Sequence, residues 1–185
     1  LGELMGRFDG VAIAGAHGKS TTTAWLAYVL RSAGFDPTFV VGAVSDQLGG
    51  GSGAGDGRHF VAEACEYDRS FLNLQPKSAA ILNIDEDHLD YYADLKAIQY
   101  AFTEFAQRLP ADGLLVLNGD DPACAAVQTD ACVQTFGLGE RCEWRAEEAA
   151  ARHGFYSFEL VREGRRLGRM QLGVCLLYTS DAADE

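Results

Sequence analysis

Residues 15–20 (GAHGKS) have the composition of a loop that binds phosphate. The apolar segment 11–14 precedes this loop and a helix-forming segment follows it, so backbone N–H groups of the loop converge on one place. Lys19 offers a positive charge to the β- and γ-phosphates of a nucleotide, and the Ser20 hydroxyl is a suitable ligand for Mg²⁺. The usual eight-residue pattern has glycine where Ile13 stands, so we interpret the loop as a shortened P-loop. The alternative is an ordinary strand-to-helix turn.

Acidic residues follow the predicted strand at 59–64. Glu63 stands at the carboxyl end of this strand, where open α/β sheets place ligand-contacting groups, and this position favours a magnesium ligand or a carboxylate that orients water. A strand-end glutamate is also common as a solvated side chain. Glu66 and Asp68 could serve similarly, or they begin a turn or cap a helix.

The segment 83–90 (NIDEDHLD) concentrates oxygen acceptors around a single imidazole after another predicted strand. His88 could ligate a second metal through a neutral ring nitrogen, or bind phosphate when it is charged. The alternative is a surface histidine in a solvated acidic turn.

Alternating strands and helices must position these residues. Helices are predicted at 20–33 and along a stripe formed by Leu95, Ile98, Phe102, Phe105 and Leu109, with a short third helix opened by Asp121 and Pro122. The glycine tract 49–55 predicts a flexible surface loop. Strands are predicted at 11–14, 38–43, 59–64, 79–83 and 114–118.

Segments 155–161 and 167–174 flank a polar turn and predict an antiparallel hairpin. The fold class is therefore α/β, with a P-loop, a mostly parallel sheet, helices on both faces, and this hairpin at the C-terminal edge. We expect a single domain over 1–174 and a poorly ordered tail over 175–185.

The composition excludes several classes of protein. The chain has 185 residues, of which 48% are hydrophobic, enough for a packed core. Its formal charge of -12 argues against nucleic acid as a partner. Five cysteines without a C-x-x-C pair argue against a zinc site or a disulfide framework and favour a cytoplasmic protein with reduced thiols. No apolar run reaches the roughly 20 residues of a membrane helix, and the oligomeric state stays open.

Four segments together resemble the Mur ligases, the ATP-dependent amide-forming enzymes of peptidoglycan precursor synthesis. They keep the family's order and spacing over much of the chain. His17 and the E-x-x-E-Y-D-x-S-F run favour the family's alanine-adding branch. The resembling segments are 15–25 (GAHGKSTTTAW), 60–76 (FVAEACEYDRSFLNLQP), 79–92 (AAILNIDEDHLDYY) and 114–122 (LLVLNGDDP).

This resemblance implies ATP and Mg²⁺ as cofactors and UDP-N-acetylmuramate and L-alanine as substrates. ATP would phosphorylate the lactoyl carboxylate, and the alanine amine would then displace phosphate from the acyl phosphate. Lys19, Glu63 and His88 would be the catalytic residues, with Ser20 and Glu63 at one Mg²⁺ and His88 at a second. The nucleotide-binding residues implied are Gly15, Ala16, His17, Gly18, Lys19, Ser20 and Thr21.

We further expect the chain to be an incomplete central, ATP-binding domain that is inactive alone. The family's domains for the UDP group and for the amino acid would lie elsewhere. Residues 175–185 (CLLYTSDAADE) resemble nothing in the family, so we expect them to be a non-native sequence or a disordered tail. Three alternatives stay open: a Mur-type ligase for another amino acid, a P-loop kinase or nucleotide switch, and an inactive homologue.

Overall fold

The computed structural model describes residues 1–153 and 155–173. Its α-helices are α1 (Gly2–Met5), α2 (Lys19–Ser32) and α3 (Leu95–Ala106), and two 3-10 helices cover Tyr67–Asn73 and Cys124–Ala126. Its strands are β1 (Asp9–Ala14), β2 (Thr38–Ser45), β3 (Gly50–Gly53), β4 (His59–Ala64), β5 (Ser78–Ile81), β6 (Leu114–Asn118), β7 (Cys132–Gly137), β8 (Trp144–Arg152), β9 (Phe155–Arg162) and β10 (Arg165–Gly173).

These strands form one sheet in the order β10-β9-β8-β7-β6-β5-β1-β4-β2-β3. The run from β8 to β2 is parallel, whereas β3, β9 and β10 pair antiparallel to their neighbours. Strand β1 lies between β4 and β5, with Ile13 opposite Glu63 on one side and Ala80 on the other. Because carboxyl ends of parallel strands meet at one edge, the segments that follow β1, β4 and β5 are brought together.

Helices cover both faces of the parallel part, as predicted. Alternate side chains of a strand point to opposite faces, so Val61 packs with α2 in one cluster while its neighbours Phe60 and Ala62 pack with α3 in the other. The predicted stripe on α3 is confirmed as a packing face, because Ile98, Phe102, Phe105 and Leu109 are all exposed by 5% or less and Leu95 packs against them. These two layers pack both faces of the sheet beneath the loop edge.

The antiparallel hairpin is confirmed as β9 and β10, which pair from Arg162 and Arg165 onward. Strands β7 and β8 were not predicted. Strand β8 continues the parallel run by two residue pairs beside β7 and then pairs antiparallel with β9. The end of the sheet is therefore a three-stranded antiparallel region rather than a hairpin alone.

The prediction that residues 49–55 form only a flexible loop is wrong, because Gly50–Gly53 is an edge strand paired with β2. Phe39 lies opposite Gly53, and a Cβ on that glycine would come within 2.6 Å of the Phe39 ring. Glycine thus permits a close approach that a side chain would block. The short helix predicted at Asp121 and Pro122 is a 3-10 turn, Cys124–Ala126, with the Asp121 carboxylate accepting from the Ala123 N–H.

The predicted domain boundary at 174 and the tail 175–185 lie outside the described residues. Across 1–153 and 155–173, no helix combines the length and the apolar character needed to cross a membrane.

Candidate functional site

The P-loop segment 15–18 leaves the buried end of β1 and enters α2 at Lys19. Gly15 and Gly18 have φ angles of 145° and 79°, which non-glycine residues rarely adopt. A Cβ on Gly15 would also lie 3.1 Å from Leu82 Cβ and 3.2 Å from Asn83 N. Both glycines are therefore required by the backbone path, and the first-turn N–H groups of α2, which have no partner within a helix, face this edge.

Asn83, two residues after β5, holds the loop in place. Its Oδ1 accepts from His17 N at 2.7 Å and its Nδ2 donates to His17 O at 3.0 Å, while its backbone oxygen accepts from Ala16 N at 3.2 Å. The His17 ring is exposed, with Nε2 3.8 Å from an oxygen of Asp85. Asn83 thus fixes the middle of the loop through the backbone, a role that sequence reasoning missed because it treated the asparagine only as one acceptor among several.

Lys19 bends back over its own loop. Its Nζ donates to Gly15 O at 2.7 Å, to Ala16 O at 3.0 Å and to Glu66 Oε1 at 3.0 Å. The side chain is only 13% exposed. Three acceptors match the three N–H donors of an ammonium group, so Lys19 is fully hydrogen-bonded at the place where a phosphate would approach the loop.

Ser20, in the first turn of α2, and Glu63, at the end of β4, meet across the loop edge. The Ser20 hydroxyl donates to Glu63 Oε1 at 3.1 Å, and the backbone N–H of Gly42 donates to Glu63 Oε2 at 2.6 Å. A Cβ on Gly42 would lie 2.8 Å from that same oxygen, so the glycine leaves room for the carboxylate. A hydroxyl and a carboxylate side by side are the hard oxygen donors that Mg²⁺ prefers.

His88 lies on the other side of Lys19, in a left-handed backbone conformation with φ of 55°. Its Nε2 is 3.5 Å from Glu66 Oε1 and 3.7 Å from Asp87 Oδ2, and its ring packs edge-on against Tyr67 at 4.9 Å. Ligand atoms of Glu66, Asp87 and His88 all lie within 4.8 Å of one another, a spacing that could hold a metal ion.

Glu66 is the residue at this edge that sequence reasoning undervalued. It is 2% exposed and stands at the N-cap position of the 3-10 helix Tyr67–Asn73. Its backbone oxygen begins the turn by accepting from Arg69 N at 3.0 Å, as the turn interpretation expects, but its side chain does not cap the helix. Tyr92 fixes it by donating its hydroxyl to Glu66 O at 2.5 Å, and burial raises the pKa of Tyr92 to about 12, which keeps that donor protonated. The sequence signal was a second glutamate three positions after Glu63, followed by an aromatic residue.

The predicted site residues therefore fall into two groups around the loop. Ser20 and Glu63 form one pair, while His88 joins Lys19 through Glu66. Within the described residues Glu63 is not part of the Glu66, Asp87 and His88 group. Gly15, Ala16, Gly18 and Thr21 lie on the loop and the first turn of α2 between these groups.

Comparison with known proteins places this arrangement in a family. The sequence profile of the Mur ligase middle domain matches residues 13–175. UDP-N-acetylmuramate–L-alanine ligase of Alkaliphilus metalliredigens (strain QYMF) is 39% identical over 178 residues, covering 94% of this chain and 39% of that protein. The chain thus spans about 39% of the length of this curated relative.

Two solved structures share the fold. The UDP-N-acetylmuramate:L-alanyl-gamma-D-glutamyl-meso-diaminopimelate ligase from Neisseria meningitides matches with a TM-score of 0.81 at 30% identity, covering 96% of this chain and 59% of that one. UDP-N-acetylmuramate-alanine ligase from Thermotoga maritima matches with a TM-score of 0.79 at 26% identity, covering 93% of this chain and 38% of that one. A profile match over most of the chain and the common fold show that the chain belongs to the Mur ligase family.

Proposed function

We propose that the loop edge of the sheet binds the phosphates of ATP. The observation that carries this proposal is the Gly-Lys-Ser loop at the start of α2, with Ser20 hydrogen-bonded to Glu63 at 3.1 Å and Lys19 beside it. Positive φ at Gly15 and Gly18 supports close approach of a phosphate to the backbone. The binding set proposed is Gly15, Ala16, His17, Gly18, Lys19, Ser20 and Thr21.

The donor set at this edge fits Mg²⁺. Ser20 and Glu63 would hold one ion through a hydroxyl and a carboxylate, and His88 would help hold a second. Glu66 Oε2 also supports metal binding at this edge, because it is buried and has no hydrogen-bond partner among residues 1–153 and 155–173. Mg²⁺, when bound, neutralises charge that develops on the phosphoryl oxygens.

For the whole ligase, of whose length the chain spans a part, we propose ATP-dependent amide formation through an acyl phosphate. A carboxylate oxygen of UDP-N-acetylmuramate would take the γ-phosphoryl group as ADP leaves, and the amine of L-alanine would then attack the acyl carbon as phosphate leaves. Lys19 would hold the transferring phosphoryl group, and Ser20 and Glu63 would hold Mg²⁺ beside it. The first step consumes ATP and both steps act on a nucleotide-linked sugar, so we place them in the cytoplasm.

The amino component has two candidates. The curated relative is named for L-alanine, which the sequence also favours through His17 and the E-x-x-E-Y-D-x-S-F run. The structural relative from Neisseria meningitides is named for L-alanyl-gamma-D-glutamyl-meso-diaminopimelate. Both names contain UDP-N-acetylmuramate, so the two candidates share the carboxylate substrate. They differ in the amine that is joined to it.

A domain exchange tests this reaction. Residues 13–173 would replace the matching segment of the Thermotoga maritima ligase, and phosphate release would be measured with MgATP, UDP-N-acetylmuramate and either amine. We expect release that requires UDP-N-acetylmuramate and L-alanine and that disappears in Lys19→Ala. The amino-acid domain of the chimera comes from the host, so this exchange tests the ATP-dependent step that this chain would supply. The same assay on the full-length ligase that contains this chain decides between the two amines. A folded chimera that forms neither amide, although the parent ligase does, would contradict the proposal.

A further inference from the structure

Glu66 is a buried carboxylate whose two oxygens differ. Oε1 accepts from Lys19 Nζ at 3.0 Å and lies 3.5 Å from His88 Nε2. Oε2 is buried without a hydrogen-bond partner in the part of the chain that the structure describes. The side chain is 3% exposed, so water does little to stabilise its charge and the ion pair with Lys19 is what compensates for burial.

Lys19 cannot keep this arrangement and also bind a phosphate. Its three donors are already used by Gly15 O, Ala16 O and Glu66 Oε1. A phosphate at the loop must draw the ammonium group away from at least one of them. If Glu66 is released, it becomes a buried charge without its cation, which is unfavourable unless another cation replaces it.

The structure provides a place for that cation. Ligand atoms of Glu66, Asp87 and His88 lie within 4.8 Å of one another, and together they offer two carboxylates and one imidazole. Such a donor set suits a divalent cation with a preference for oxygen and nitrogen ligands. The Glu66 carboxylate also has a free oxygen for such an ion, because Oε2 has no hydrogen-bond partner among the described residues.

We propose that Glu66 exchanges cations: it holds Lys19 in the nucleotide-free protein and, with His88, takes a divalent cation when Lys19 moves to the nucleotide phosphates. Glu66 is a positioning residue for Lys19 in the first state and a metal ligand in the second. This inference rests on the proposed ATP site, and it gives Glu66 a role separate from that of Glu63, whose oxygens contact Ser20 and Gly42.

The test measures Mn²⁺ binding to the nucleotide-free 185-residue chain by electron paramagnetic resonance. All proteins carry Glu63→Gln, so that the Ser20 and Glu63 pair contributes little. Glu66→Gln should weaken Mn²⁺ binding by about tenfold or more, as loss of groups around a metal usually does. Lys19→Met should tighten it by a similar factor, because the competing cation is gone. Glu143→Gln, which removes a carboxylate from a remote ion pair with Arg162, should change nothing.

A second measurement uses ATP with a chelator in place of Mg²⁺. Glu66→Gln, in a chain with Glu63 intact, should bind metal-free ATP several-fold more tightly than wild type, because Lys19 is no longer held. A structural role alone predicts weaker binding of both Mn²⁺ and ATP, and circular dichroism would show whether the variant is folded. Tighter ATP binding together with weaker Mn²⁺ binding supports the exchange.

Two results would overturn the inference. Mn²⁺ affinity that is the same in Glu66→Gln as in its parent would show that Glu66 is no ligand, and unchanged Mn²⁺ affinity in Lys19→Met would show that the two cations do not compete. If wild type still binds MgATP in either case, the proposed ATP site survives and the exchange alone fails. If wild type does not bind MgATP, the proposed function fails first.

Discussion

The loop edge of β1, β4 and β5 and the antiparallel region β8–β10 belong to one sheet but use charge in opposite ways. At the loop edge Lys19 and Glu66 are paired with side-chain exposures of 13% and 3%. In the antiparallel region Arg166 and Glu148 are paired at 3.1 Å with exposures of 59% and 55%. The loop edge thus has a few buried charges that are held by fixed partners, as a binding site requires. The antiparallel region has exposed ion pairs that are solvated and contribute little to stability.

The difference follows from how the two regions are covered. Parallel strands β1, β4 and β5 carry small buried residues such as Ala12, Ala62 and Ala79 under helices on both faces, so polar groups collect only at the strand ends. In β8–β10 only Val161 is buried among the residues whose burial is described. Function at the loop edge therefore depends on the packed layers beneath it.

The largest expected effect is on that packing. Phe105→Ala should lower the free energy of unfolding by about 3–5 kcal/mol, because the ring is fully buried and stacks on Phe71 with centroids 4.8 Å apart. Tyr156→Ala in β9 is the control, and since that side chain is 50% exposed the loss should be about 1 kcal/mol or less. Urea unfolding followed by circular dichroism measures both. Equal losses of unfolding free energy in the two variants would show that the two regions do not differ in packing.

The next effect concerns the loop itself. Asn83→Ala should weaken MgATP binding by about tenfold, because it removes two hydrogen bonds that hold the His17 peptide. Asn118→Ala, in the next strand, also removes two hydrogen bonds, one to Leu82 O at 2.9 Å and one from Asp120 N at 3.0 Å, and it should leave the affinity at the wild-type value. Calorimetric titration compares the two variants. Equal weakening in both would mean that the loss reflects general damage to the sheet edge.

These contacts show how far sequence reasoning reaches. The loop, α2, α3 and the central strands were predictable because apolar periodicity and glycine position are local signals. Strand β8 was not predictable, because Trp144–Arg152 contains charged residues and lacks a regular alternation of apolar and polar residues. Its strand conformation depends on pairing with β9, which is a non-local contact. Glu66 was weighed but undervalued, because its burial depends on the turn at Asp68 and Arg69, whose φ angles of 55° and 56° no local pattern indicates.

A smaller effect depends on pH at the turn after β6. Hydrogen bonds from the backbone N–H groups of Leu138 and then Gly139 lower the pKa of Asp120 below the ordinary value of an aspartate. A carboxyl group with a lowered pKa stabilises the fold above its unfolded pKa and loses that contribution as pH falls through the folded value. Asp120→Asn should thus be less stable than wild type at pH 6, and the difference should shrink below about pH 4. Urea unfolding across this pH range measures it, and a difference that grows in acid would refute the assignment.

The smallest effect is expected for the exposed charges. Arg166→Ala should lower the free energy of unfolding by about 0–1 kcal/mol, because its pairs with Glu147 and Glu148 are solvated. The loss should decrease further in 1 M salt. Unfolding curves at two salt concentrations test this, and a salt-independent loss well above that range would show that the antiparallel region uses charge as the loop edge does.

The measurement that tests the central claim most directly is calorimetric titration of the 185-residue chain with MgATP, beside Lys19→Ala. We predict saturable binding at one site, and an affinity about 100-fold lower in the variant, since in the proposed site Lys19 would give charged hydrogen bonds to the phosphates. Circular dichroism should show the same fold for both proteins. No binding by the folded wild type, or equal binding by Lys19→Ala, would contradict the assignment of this edge as the ATP site.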